Sequence, residues 1–480
     1  MAINLVMGSL CSFRGAAHTF SLFSEYLGLM VPGYTSIRQW VLRVGLYELQ
    51  RHREQRQDWI YVMDLTVEVG KQKCLVVLGI AQSHWQEWVN VQDGALSYRD
   101  MELLGLVVLS STKGEYIDGA LEEISQQVGV PCQIVSDQGS GLYKGIRLYV
   151  QKHQRVRVSY DVTHQCARLL KAELERDETY QHFVQQCART RQQLQQTPLA
   201  FLKPPTQRAK ARYMNIDTLM DWAQRVLSDE QQQDFSLISS VHCWDDEAIE
   251  SVSTYLLPKK QLEALDAIKD QPFEHRSAFE SALEQCLPEM AQSPLSATIA
   301  QAVDCGKRYF QSKLGWLSDA LTTLHPVGEM LSLVRSLSDP LKHQGFCADS
   351  SSEFLERIHP QKATWSKRTQ AFQAKVMHYL DQETQGIPDN RSWLASSDII
   401  ESLFGKYKLF SEKSPLKHMG HLLLTLPLLS AQLSPEGVTT ALETISFDDV
   451  QQWYSQCFGV SPLAKRRTAF QATENNTVSA

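Results

Sequence analysis

The sequence has no uninterrupted apolar run of about 18 residues, the length a membrane-spanning helix requires. Its N-terminal apolar patch lacks the layout of a signal peptide, so a chain retained in the cytoplasm is expected. The ten cysteines, at 11, 74, 132, 166, 187, 243, 286, 305, 347 and 457, form no Cys-x-x-Cys pair. That argues for reduced thiols rather than a disulfide framework or a four-ligand zinc site. No G-x-x-x-x-G-K-[ST] occurs, so no nucleotide cradle is indicated, and there is no internal repeat. A net charge of −7 sets aside indiscriminate nucleic-acid coating, though not local basic patches. What is present is apolar material, 43% of 480 residues, sufficient to bury cores in roughly two to four domains.

The stretch that organises the rest is Trp59 to Val69, WIYVMDLTVEV, which reads as a buried strand with one carboxylate, Asp64, in its middle. Aspartate has poor strand propensity, and an ionised carboxylate among apolar side chains needs compensation by a cation or by hydrogen bonds. A second strand, Gln72 to Ala81, follows Gly70, a hairpin signal. Leu103 to Ser110 reads as a third strand, Glu115 to Val128 as a helix, and Cys132 to Ser136 as a fourth strand ending at Asp137. Gly141 to Gln151 is a helix and Arg155 to Asp161 a fifth strand. Two strands presenting isolated acids suggest a metal site. Any single aspartate at a strand end is also a common turn or cap residue.

Ahead of the sheet, Ser12 to Leu29 and Thr35 to Gln50 carry helical periodicity around the break Val31-Pro32-Gly33. The second helix, expected to start at a Thr or Ser cap, shows Arg38, Gln39 and Arg43 on its outer side. That pattern fits a helix-turn-helix entering a major groove, and equally an ordinary helical hairpin. Residues 51 to 57 read as a solvated linker.

Far downstream lies SSDIIESLFGKYK, residues 396–408, whose Glu401 is singled out by the family resemblance given next, as the best match to that family's third acid on a helix after the sheet. Ser396 or Ser397 can cap this helix, and Glu401 and Lys408 are 408 − 401 = 7 residues apart, two turns on one face. The order of three strands, helix, strand, helix, strand, with Asp64, Asp137 and Glu401 on these elements, resembles the DDE-class transposases of bacterial insertion sequences. The resemblance implies an α/β RNase H-like catalytic core, a mixed five-stranded sheet with helices, formed by residues 58–165 and 391–412. It also implies a 1–57 DNA-binding region, a mainly helical insertion at 166–390 and a helical C-terminal region at 413–480 with a disordered tail. In it Asp64, Asp137 and Glu401 would bind two Mg²⁺ ions, with Mn²⁺ able to substitute. Lys408, with Lys406 competing, would contact the phosphates of the element's end, and Asp161 and His164 would stand behind the acids. Their alternative is plain: Asp161 or Thr163 caps the helix that follows.

Within the expected insertion, 181–215 holds Arg189, Arg191, Lys203, Arg208, Lys210 and Arg212 and no acid. Arg208, Lys210 and Arg212 could grip a phosphate backbone with Tyr213 stacking, or form a solvated polar face. Lys144, Arg147, Lys152, Arg155 and Arg157 make a second acid-free run. Trp316 and Trp393 could insert beside an extruded base, though both suit a core. Residues 417–430 should pack as terminal helices, followed by a helix over Ser446 to Phe458. The expected partner is double-stranded DNA, terminal inverted repeats and target, engaged by a homodimer or larger assembly on paired ends. The chain would then be nucleoid-associated in a bacterial cytoplasm. A non-transposing nuclease of the same core, and a DNA-binding regulator without catalysis, are the alternatives.

Overall fold

The computed structural model describes most of residues 1–231 and 311–459; residues 70–71, 92–95, 207–212, 232–310 and 413–418, and a few shorter stretches, lie outside the described part. The chain divides into two compact units: Met1–Cys166, Arg335–Pro360 and Lys375–Ala480 in the first, Ala167–Val334 and Gln361–Ala374 in the second.

The first unit is built on a five-stranded mixed sheet. Its strands are β1 (Trp59–Val69), β2 (Gln72–Ala81), β3 (Glu102–Leu109), β4 (Gln133–Ser136) and β5 (Arg157–Tyr160), in the order β3-β2-β1-β4-β5. β1 pairs antiparallel with β2 and parallel with β4, and β4 runs parallel to β5. The β-branched and aromatic content of these runs suits a pleated surface buried on both sides. Two cores result. Tyr61, Met63 and Ile134 face a cluster with Leu121 and Ile124 of helix α5 (Gly114–Val128) and Leu142 and Ile146 of α6 (Ser140–Lys152). Ile60, Val62 and Val135 face the opposite cluster, shared with the N-terminal helices and the C-terminal region.

The N-terminal helices are α1 (Ala2–Met7), α2 (Phe13–Leu27), capped by Ser12 accepting from the Gly15 N–H, and α3 (Tyr34–Gln50). α3 begins at Tyr34 behind Gly33 with no side-chain cap, so the Thr or Ser cap expected there does not form. Ile37, Val41, Leu42, Val44 and Leu46 are buried, and every residue from Ser36 to Leu49 is at least half-buried. The covering comes from the chain's other end. Leu422 to Ser430 is a buried pair of helical turns, followed by helices over Pro435–Thr444 and Phe447–Phe458, and α3 packs on all of them. A Cβ on Gly45 would lie 1.9 Å from the Leu424 carbonyl oxygen, so glycine is what permits this approach. The last helix falls where the sequence puts it, with Ser446 and Asp449 closing a capping box, whereas the helix over Pro435–Thr444 has no counterpart in the sequence reading. α4 (Gln82–Val91) has no counterpart in the sequence reading; its Trp85 is buried in the core.

The described part of the second unit is helical, with helices over Glu178–Leu194, Ile216–Gln231 and Trp316–Thr323. Trp316 packs on Phe183 at 5.9 Å between ring centroids, and its indole N–H donates to Thr190 Oγ1 and the Lys313 carbonyl, so it serves as an internal packing residue here. Arg208, Lys210 and Arg212 lie outside the described residues. Among the described residues no helix is long and apolar enough to cross a membrane.

Candidate active site

The β1–β4 register places the first two acids. Ile60 pairs with Gln133 and Val62 with Val135, an offset of 133 − 60 = 73 residues, and 137 − 64 is also 73. The paired residues end at Val62 and Val135 and β4 ends at Ser136, so the equal offset puts both acids just beyond the paired stretch of these neighbouring strands. Side-chain alternation assigns the face of the first acid: Ile60 and Val62 project to one core, and Asp64 of the same strand follows them, while Asp137 comes directly after the last residue of β4. A register shift in the β1–β2 pairing between Asp64 and Val67 marks a bulge just past the carboxylate. Asp137 is half-buried and its Oδ1 accepts from the Gly139 N–H at 2.9 Å, so it also forms the turn into α6.

The third acid comes to the same face on α7 (Asp398–Glu412). Ile399, Ile400, Leu403, Phe404 and Tyr407 bury one side of this helix in the core beneath Val62 and Val135. Glu401, Ser402, Gly405 and Lys408 form its exposed stripe, and Lys406 is half-buried on the flank.

What fixes α7 is a set of contacts to β4 and β5. The buried Gln133 amide donates to the Leu394 carbonyl at 2.8 Å and accepts from the Leu394 N–H at 3.1 Å, while also donating to Ser159. The Val162 N–H donates to the Ala395 carbonyl at 3.0 Å. Asp161, 0% exposed, accepts from the Ser397 N–H, from Ser397 Oγ at 2.9 Å, and from the N–H and Nδ1 of His164. Ser397 is thereby turned toward Asp161, and Ser396 Oγ takes the Asp398 N–H instead. Lys342 clamps Asp398, the first helical residue, at 2.7 Å. Asp161 therefore does more than cap the next helix: it ties the end of β5 to the start of α7.

His164 joins the pieces electrostatically. Its Nε2 stands 3.5 Å from Glu401 Oε1 while Nδ1 faces Asp161. Burial works to lower the imidazole pKa, yet the hydrogen bond and charge of Asp161, then Glu401 and Asp137, carry it up to about 9. Burial likewise works to raise the Asp161 carboxyl, and its His164 and Ser397 partners outweigh that, leaving it below the ordinary range. Glu401 is raised, first by burial and then by Asp398, Asp161 and Asp64, against the opposing pull of His164. Asp64, Asp137, Asp161 and Glu401 thus lie within one another's field or that of His164.

Among the described residues no three His, Cys, Asp or Glu side chains converge closely enough to share one metal ion. In kind the donors suit a hard cation, since carboxylate oxygens that repel one another gain from a positive charge placed among them.

The other residues singled out in the sequence behave differently. The Arg43 guanidinium donates to the carbonyls of Leu442 and Ile445, where it closes the end of a terminal helix rather than facing outward. Arg38 is half-buried, and burial lowers its pKa. The run at 144–157 is not an acid-free patch in three dimensions. α5 supplies Glu115 to Lys144 at 2.6 Å and Asp118 and Glu122 to Lys152, and Arg157 is spent on the carbonyls of Glu383 and Gln385. Trp393 is buried, bridged to Phe346 and flanked by Arg157 and Arg391. Gln133 and Lys342 do not stand out in the sequence, and Ser397, expected there only as a cap, turns its hydroxyl to Asp161. A glutamine inside an apolar four-residue strand was the available signal for the first. No protein-family model matches the chain, and no curated protein matches it in sequence.

Proposed function

We propose that the protein is a DDE-class transposase that binds the ends of its mobile element and cleaves and rejoins DNA at Asp64, Asp137 and Glu401. The observation that supports the reading is that Asp64 on β1, Asp137 just past β4 and Glu401 in the first turn of α7 lie close enough to act on one another or on His164 electrostatically. A mixed sheet with parallel neighbours β1 and β4 supports an RNase H-like core. Two Mg²⁺ ions bound by the three carboxylates would activate the attacking oxygen and stabilise the leaving one in an in-line displacement. The chain's own residues have separate tasks. Asp161 and Lys342 hold the start of α7 against β5 and so set the height of Glu401. His164 offsets the mutual repulsion of the acids and orients Glu401. The exposed stripe of α7 leaves room for a phosphodiester beside it, with Lys408 placed for a phosphate. Double-stranded DNA is the substrate, with two protomers acting on paired ends.

The test is Mg²⁺-dependent cleavage of a duplex carrying the sequences that flank this open reading frame, comparing wild type with Glu401→Gln and Asp64→Asn. Nicking at the element boundary should vanish in both variants while end binding persists. Undiminished cutting by either variant removes that acid from the site. Binding without cutting in the wild type would favour the regulator; cutting without end preference or strand transfer would favour the nuclease.

A further inference from the structure

Two glycines inside helices of the first unit stand in opposite surroundings. Gly45 of α3 is required by the Leu424 backbone, as described above. At Gly405 of α7 nothing lies within 4 Å of where a Cβ would be. A glycine in an exposed helix interior costs about 0.8–1.0 kcal/mol relative to alanine. No contact within the described chain offsets that at Gly405.

Its position supplies a reason. Gly405 follows Glu401 by one turn on the exposed stripe, and Lys408 continues that stripe. From Glu401 to Lys408 the helix axis advances about 10 Å. A side chain at 405 would stand between the two ends of this track, and glycine leaves the surface flat enough for close approach.

We infer that Gly405 is the point at which the substrate's phosphodiester backbone lies against α7, the strand running from Glu401 toward Lys408. This rests on the transposase reading and adds the path of the strand to it. The contact is steric, because the helix backbone there is already hydrogen-bonded within α7. Gly119 of α5 is exposed and equally open, with its helix packed on the opposite face of the sheet, so it isolates the effect of helix propensity.

Gly405→Ala and Gly119→Ala are compared with wild type in thermal melting, in binding of a fluorescent duplex carrying the flanking sequences in the presence of EDTA, and in Mg²⁺-dependent cleavage. Both variants should melt at or above the wild-type temperature. Gly119→Ala should bind and cut as wild type. Gly405→Ala should bind roughly tenfold more weakly and cut roughly a hundredfold more slowly, the cost of displacing a reacting group by about 1 Å. If wild type cuts and Gly405→Ala binds and cuts equally well, the contact is wrong while the transposase reading stands. If wild type neither binds nor cuts this duplex, both fall together.

Discussion

α3 and α7 read alike in the sequence: each is an amphipathic helix with basic residues set on the side away from its apolar stripe. The structure separates them. α7 buries Ile400, Leu403, Phe404 and Tyr407 and keeps an open stripe with Glu401 and Lys408. α3 is covered almost all round, and its Arg43 is consumed by carbonyls 399 and 402 residues away. The difference teaches which inferences travel. A carboxylate's face follows from strand alternation and helix period, which are local. An arginine's availability depends on what packs over it, and here that is the far end of the chain.

The largest expected effect is on the side of α7. Asp161→Ala removes a fully buried acceptor from Ser397 and His164 and should cost about 3–5 kcal/mol, as breaking a buried charge pair does. Urea unfolding reads this, and cleavage should be lost with it. A variant as stable as wild type would mean that α7 is held by something else. Next comes α3. Arg43→Ala should cost about 1–3 kcal/mol by leaving two carbonyls without their donor. The salt dependence of DNA binding should stay the same. Unchanged stability with a salt slope smaller by about 1 would instead restore Arg43 as a phosphate contact.

The smallest effect concerns the edge strand that leads into Asp161. Glu383 is raised from the ordinary 4.5 to about 7, first by burial, while its carboxylate accepts from the Tyr160 N–H at 3.1 Å. The folded protein therefore holds this proton more tightly than the unfolded chain between pH 4.5 and 7. Stability is highest below pH 4.5 as far as Glu383 is concerned, and falls as pH rises through 7. Glu383→Gln should flatten that decline, by on the order of 1–2 kcal/mol in chemical denaturation at pH 8 relative to pH 5. An identical pH profile in the two proteins would show that Glu383 ionises freely.

Much of the sheet was legible. β1 and β2 run over the residues their continuous apolar runs mark, and Asp64 and Asp137 stood out because a carboxylate is a poor strand residue. The helix around Glu401 was picked out by the family resemblance, with the serines ahead of it and the Glu401–Lys408 spacing consistent with a helix. What could not be read were contacts between distant segments. Gln133 looks like a polar interruption until Leu394, 261 residues on, completes its hydrogen bonds. Ser397 looks like a cap, and its hydroxyl goes to Asp161. The run from Lys144 to Arg157 looks basic because the acids that pair with it belong to α5.

The stitching of residues 392–398 onto β4, β5 and Lys342 bears on chain length. Glu401 follows Asp137 by 401 − 137 = 264 positions in the sequence. Closing a loop costs entropy that grows only with the logarithm of its length, about 0.6 kcal/mol for each doubling. Once Gln133 and Asp161 hold Leu394 and Ser397, doubling the chain that runs from residue 162 to residue 391 adds less than one of the hydrogen bonds to Asp161 supplies. The third carboxylate is positioned by where its helix begins, and the length of the detour that precedes it is thermodynamically almost indifferent.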